Sequence, residues 1–199
     1  LTNTEWIQAA YLCLLGALTP GLSWLIITSI SLKNGAYFGI MTALGHGVGI
    51  FLFAYVTILG ISGVLELLPI TETVIQLFSC ICLLFIGTLM CLAKSDGNES
   101  LPVGEGGFIL GIGLALANPK VILFFIGVFG PVIKPHLSLI NRLLLSLMAG
   151  FIDALVYIFV SMLAGTIVGF LGTNTINTFS KFVGFSLLCI SVNLAVSLI

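Results

Sequence analysis

The sequence predicts an all-α integral membrane protein of six transmembrane helices, arranged as two inverted halves of three. Three observations lead there. Of the 199 residues, 59% are hydrophobic and 7% charged, with a mean hydropathy of +1.29, whereas a soluble domain carries about 25% charged residues. The apolar residues fall into long runs, each near the roughly 20 residues that a helix rising about 1.5 Å per residue needs to cross the hydrocarbon. The one extended polar stretch, residues 94–106, divides those runs three and three. An odd number of spans per half sets the halves in opposite orientation, with a transport site expected near the midplane.

The first run, Trp6 to Ile30, is interrupted by Thr19-Pro20-Gly21. It is preceded by Glu5 rather than a basic leader and has no small-residue cleavage site after its core, so it is expected to stay in the mature chain. The second, Tyr37 to Gly60, carries His46 among Gly45, Gly47 and Gly49. The third, Val74 to Ala93, is apolar on every side from Cys80 to Cys91, unlike the alternating pattern of a membrane β-strand. Asn118-Pro119-Lys120 breaks the fourth, Phe108 to Ile133, and the fifth, Leu143 to Leu171, holds Asp153. The sixth is Phe179 to Leu198. The halves are thus residues 1–93 and 107–199, each opening with a broken helix, and together they form one transmembrane domain. Lys33, Lys94 and Lys181 on one side against Lys134 and Arg142 on the other lean toward both termini outside, a narrow margin under the positive-inside rule.

Several function classes are excluded or disfavoured. A net charge of -1 supplies no basic field for a nucleic-acid backbone. The cysteines Cys13, Cys80, Cys82, Cys91 and Cys189 all lie in apolar runs, where a thiol packs as a small hydrophobe. They show neither zinc-like spacing nor a disulfide framework, and no cofactor is implied. A membrane redox carrier would need a cysteine beside each break, yet Cys13 is about two turns from Pro20 and the fourth run has none. One deep aspartate cannot make a paired-carboxylate active site, and there is no serine motif with a matching histidine, so an enzyme is not expected. A divalent metal-ion exporter stays as an alternative, although His46 with Asp153 is sparse for a metal site.

The two breaks carry the functional expectation. Proline frees a carbonyl one turn back, and glycine lets the backbone leave helical geometry. A half-helix N-terminus suits a carboxylate and a half-helix C-terminus suits an ammonium, so paired breaks near the midplane suit a small zwitterion. The competing reading, a kink that only shapes packing, loses ground because interruptions recur at corresponding places in both halves. Lys120 lies deep in its run, where a charge costs roughly 2.5 to 3.5 kcal/mol on insertion scales. Asp153, the only deep acidic residue, shares a helical face with Gly150 and Tyr157 and more loosely with Ser146 and Ser161, which must point into the bundle. Asp153 and Lys120 are expected to be partners or to share one polar cavity, and Asp153 is the candidate proton-coupling group; a static buried ion pair is the alternative. His46 is open between a titrating group and a packing histidine. The pairs Gly35 and Gly39, Gly45 and Gly49, and Gly107 and Gly111 mark close helix approach, within one chain or in a homo-oligomer.

These residues also carry a resemblance. Leu18-Thr19-Pro20-Gly21, followed by Gly35, Gly39, Gly45, Gly49 and Gly60, is similar to the LysE/RhtB family of amino-acid exporters. Leu83 and Gly87 fit that family's third span, while Phe108, Gly111, Asn118-Pro119-Lys120, Phe124, Phe125 and Pro131 fit its fourth; Asp153 and Gly184 also match. The resemblance covers nearly the whole chain. It implies a multi-pass protein of the bacterial inner membrane that exports amino acids or related metabolites, driven by the proton motive force. Two departures stand out. Leu22 replaces a proline usual after the first motif, and Ile50 stands where many members have an acidic residue.

Overall fold

A computed structural model of the chain describes residues 1–19, 21–67, 72–92, 106–133, 137–170 and 173–196. These residues form eight α-helices and no strand. The first polar break is structural. Helix α1, Asn3–Leu18, begins with a capping box in which Thr2 Oγ1 accepts from the Glu5 amide and the Glu5 carboxylate accepts from the Thr2 amide at 2.7 Å. It ends at Thr19, whose backbone is extended at φ -65°, ψ 118°, as expected of a residue before proline. The Thr19 hydroxyl donates back at 2.7 Å to the Leu15 carbonyl, which also accepts the Thr19 amide at 3.1 Å. Gly21, extended, leads into α2, Leu22–Asn34, and the two helix axes meet at 55°. Gly35 closes α2 at φ 94°, a left-handed conformation that favours glycine.

Helix α3, Ala36–Leu67, and helix α4, Glu72–Leu92, follow. The second break separates α5, Phe108–Leu116, from α6, Pro119–Phe129. Pro119 occupies the first position of α6, where its missing amide hydrogen would have had no helical partner. The chain ends with α7, Leu139–Phe170, and α8, Thr173–Val196. Helices α3, α7 and α8 extend beyond the runs expected from hydropathy, because polar and charged residues such as Arg142 continue the helix at its ends.

By length and composition Ala36–Gly63 and Leu139–Ala164 each suffice to cross a membrane, and the bent α1–α2 pair makes a third candidate span. Gln76–Leu89 and Gly184–Val196 are shorter apolar stretches of α4 and α8. Large apolar side chains cover the outside, among them Ile7, Val56, Ile81, Leu92, Ile109 and Phe159, with Ile109 78% exposed. A surface so apolar suits lipid rather than water.

Glycines set the core. Helix α3 packs on α7 and α5, and α4 packs on α8 and α6. At the α3–α7 crossing, a Cβ on Gly47 would lie 2.7 Å from the Gly150 carbonyl oxygen, and one on Gly150 would lie 2.6 Å from that of Gly47. The α4–α8 crossing repeats this reciprocity, at 2.8 Å from Gly87 to the Gly184 oxygen and 2.7 Å in return. Both pairs run antiparallel, since Gly39 meets Ser161 while Gly47 meets Gly150, and Ser191 bonds Cys80 while Gly87 meets Gly184. Gly45, Gly49 and Gly111 bring α5 against α3, so these glycine faces are used within one chain. Gly35 and Gly107 serve differently, each holding a positive φ with open space where a Cβ would stand.

Candidate functional site

His46 reaches the core because α3 is gripped on both sides. A Cβ on Gly111 of α5 would stand 2.6 Å from the His46 backbone nitrogen, while Gly47, the next residue, lies against the backbone of α7. That approach brings His46 to Asp153. Its Nδ1 is 2.7 Å from Asp153 Oδ2. With the carboxylate ionised, Nδ1 carries the hydrogen and donates it. The two residues are 2% and 6% exposed. The Tyr157 ring stands edge-on to the imidazole, with centroids 4.9 Å apart and an interplanar angle of 66°, which fixes the ring from a second side. His46 Nε2 is buried and has no hydrogen-bond partner among the described residues.

The polar stripe expected on the fifth run is observed: Ser146, Gly150, Asp153, Tyr157 and Ser161 are all buried. Asp153 bonds to His46, for which the sequence offered no partner; the expected partnership or shared cavity with Lys120 falls on a side chain outside the described residues. The side chains of Pro119 and Lys120 lie outside the described residues, as do Pro20 and residues 93–105, which include most of the linker.

A cavity of about 270 Å³ opens beside the His46–Asp153 pair. Both breaks reach it, through Thr19 and Gly21 from the first and Asn118 from the second. Ser23 and Tyr157 complete its polar lining. The apolar lining comes from Cys13, Gly16 and Ala17 of α1, Ile50 of α3, Val121, Phe124 and Phe125 of α6, Ala149 of α7 and Leu187 of α8. Six of these, Cys13, Ile50, Phe124, Phe125, Ala149 and Leu187, belong to one buried cluster, whereas Tyr157 belongs to a second with Trp24 and Ile27. The cavity therefore has apolar walls from one cluster and a polar face at the breaks and the dyad.

Sequence reasoning missed Cys13, Ser23, Val121, Ala149 and Leu187 as lining residues. Their types are those of any packed membrane helix, so only the three-dimensional arrangement distinguishes them. The α2 N-terminus, capped by Gly21 without a side-chain hydrogen bond, presents amide hydrogens and a partial positive charge beside Ser23. Among the described residues no group of three or more His, Cys, Asp or Glu side chains could hold a metal ion.

A polytopic helical bundle with a buried charged dyad and two broken helices around one cavity has the makings of a membrane transporter. The LysE type translocator family model matches residues 14–198. The chain belongs to that family, whose members are transporters and not enzymes. It is also similar to a leucine efflux protein of Klebsiella pneumoniae, 26% identical over 117 residues. That match covers 56% of this chain and 55% of the relative, so it spans about half the length of each. No solved structure matches the chain.

Proposed function

We propose that this protein is a secondary-active exporter of amino acids or related small metabolites in the bacterial inner membrane, driven by the proton motive force. The carrying observation is that residues from both helix breaks and the buried His46–Asp153 pair line one cavity. The breaks put an uncapped helix N-terminus at that cavity, suited to a substrate carboxylate. The dyad offers the only described acidic group there, suited to the ammonium. A zwitterion satisfies both, and the apolar walls accept an aliphatic side chain. The name of the leucine efflux relative agrees with such a substrate. A divalent metal would meet only two described donors of the kinds it prefers, His46 and Asp153.

In this reading the chain makes six spans in two inverted halves, with α1–α2 and α5–α6 as the broken first spans. Equivalent helices then cross each other at the reciprocal glycine contacts, Gly47 with Gly150 and Gly87 with Gly184. The first pieces of the broken spans also pack alike, α1 on α7 and α5 on α3, while α2 rests on both α3 and α7 and α6 on both α4 and α3. Such an arrangement supports alternating access by rocking one half against the other around a fixed site.

Expression in a bacterial host lacking its own exporters, fed a leucine-containing dipeptide, tests this. Leucine released by internal hydrolysis should leave the cells faster than from cells with an empty vector, and cell leucine should fall. Equal loss from both, for leucine and for a panel of other amino acids, contradicts the proposal.

A further inference from the structure

We propose that the transported proton and the substrate ammonium exclude each other at one atom, His46 Nε2, and that this exclusion makes the protein a proton/amino-acid exchanger. The inference rests on the exporter reading above and specifies how its coupling works. It starts from an unmet polar atom. His46 uses Nδ1 on Asp153, while Nε2 is buried without a partner among the described residues, on a ring that lines the cavity. A buried polar group left unsatisfied costs about 1 to 3 kcal/mol, so a ligand that supplies the missing hydrogen bond gains that difference on binding.

Two ligands can do so, and only one at a time. With Asp153 ionised and Nδ1 donating, Nε2 holds a lone pair. It can accept a hydrogen bond from a substrate ammonium, or it can take a proton from water and become the N–H of an imidazolium. Once protonated it has no lone pair to offer. Among the described side chains, the titratable ones facing it are Asp153 and Tyr157 from α7 and, across the cavity, Cys13 from α1; on α6, the Lys120 side chain lies outside the described residues. Helix α5 contributes none, and α2 contributes none to the cavity lining.

Charge then enforces exchange. The protonated dyad is neutral, as imidazolium with carboxylate. A bound zwitterion sets its ammonium against the dyad and its carboxylate at the partial positive charge of the α2 N-terminus, so the charge of the dyad is compensated. Empty and unprotonated, the dyad holds one negative charge that no described side chain compensates, which is strongly disfavoured in a low-dielectric interior. The carrier therefore reorients with either a proton or a substrate, never with neither. An inward proton force drives substrate outward only if the two cross in opposite senses, and a single shared atom secures that sense with one proton per substrate.

Purified protein in weakly buffered detergent solution, titrated with L-leucine, gives the first test. Where the dyad is protonated, leucine binding should release close to one proton, and the apparent Kd should rise as pH falls, by up to about tenfold per pH unit. An affinity independent of pH, or proton uptake on binding, overturns the proposal.

His46→Asn gives the second. Its amide can still donate to Asp153 but cannot take a proton. The variant should bind leucine more weakly and without releasing a proton, and in proteoliposomes whatever efflux remains should no longer respond to a pH gradient. Gradient-driven efflux by the variant overturns the shared site while leaving the exporter reading intact. If wild-type protein moves neither leucine nor any member of a mixed amino-acid pool, both fall together. If the variant does not fold, proton release from the wild type still decides.

Discussion

His46 on α3 and Asp153 on α7, 107 residues apart in the chain, are joined by a buried 2.7 Å hydrogen bond at the wall of a cavity that both helix breaks reach. Neither residue could be placed there without the glycine contacts that let α3 and α7 touch backbone to backbone. The pair thus ties packing to chemistry, and each prediction below separates the two.

Asp153→Asn keeps the side chain's size and a hydrogen bond to His46 but removes the charge. Gradient-driven efflux is expected to fall at least tenfold while the amount of folded protein in the membrane stays near wild type. Asp153→Ala should instead destabilise, by about 3 to 5 kcal/mol if it strands a charged imidazole. Efflux by Asp153→Asn at the wild-type rate would remove the aspartate from the coupling.

At the α3–α7 crossing, Gly47→Ala and Gly150→Ala each drive a methyl group against a backbone carbonyl. Overpacking of this kind costs about 1 to 3 kcal/mol, so both variants should melt lower in detergent. Gly60 offers an internal control on the same helix, because nothing lies within 4 Å of its missing Cβ. Gly60→Ala should be neutral or more stable by up to about 1 kcal/mol. Equal melting of all three variants would show that the crossing is not tight.

Cys13 is buried at the cavity wall, while Cys189 is exposed on α8. In a variant retaining only Cys13, a small membrane-permeant maleimide should label slowly, and bound leucine should slow it severalfold further. Cys189 alone should label at a rate indifferent to leucine. Leucine protection of Cys189 but not Cys13 would place the substrate elsewhere.

Ile50 is 5% exposed and lines the apolar wall. Relative to the reciprocal pair Gly47 and Gly150, it stands three residues on, as Asp153 does on α7. Ile50→Asp should therefore give the cavity a second carboxylate at the counterpart position. Uptake of lysine by leucine-loaded vesicles through exchange should rise and exchange of leucine should fall. An unchanged ratio would mean that Ile50 does not set substrate charge.

The helical class, both breaks and the buried face around Asp153 were legible in the sequence because each has a local cause. Thr19 is extended since it precedes a proline, Pro119 opens a helix since proline tolerates that position, and Ser146 to Ser161 share a face by helical period. The partner of Asp153 was not legible. That His46 meets Asp153 depends on which helices cross and at what rotation, and that is fixed by reciprocal contacts such as Gly47 with Gly150, which leave no periodic signal. The apolar lining was invisible for a similar reason: Leu187 and Val121 differ from their lipid-facing neighbours only in where they point.

Efflux of preloaded leucine and a mixed amino-acid pool from proteoliposomes, with and without an inward proton gradient and with Asp153→Asn alongside, bears most directly on the proposed transport. Faster loss of particular amino acids under the gradient, absent in the variant, is the expected result. Loss that ignores the gradient, or no loss from folded wild-type protein, would contradict a proton-driven exporter built around His46 and Asp153.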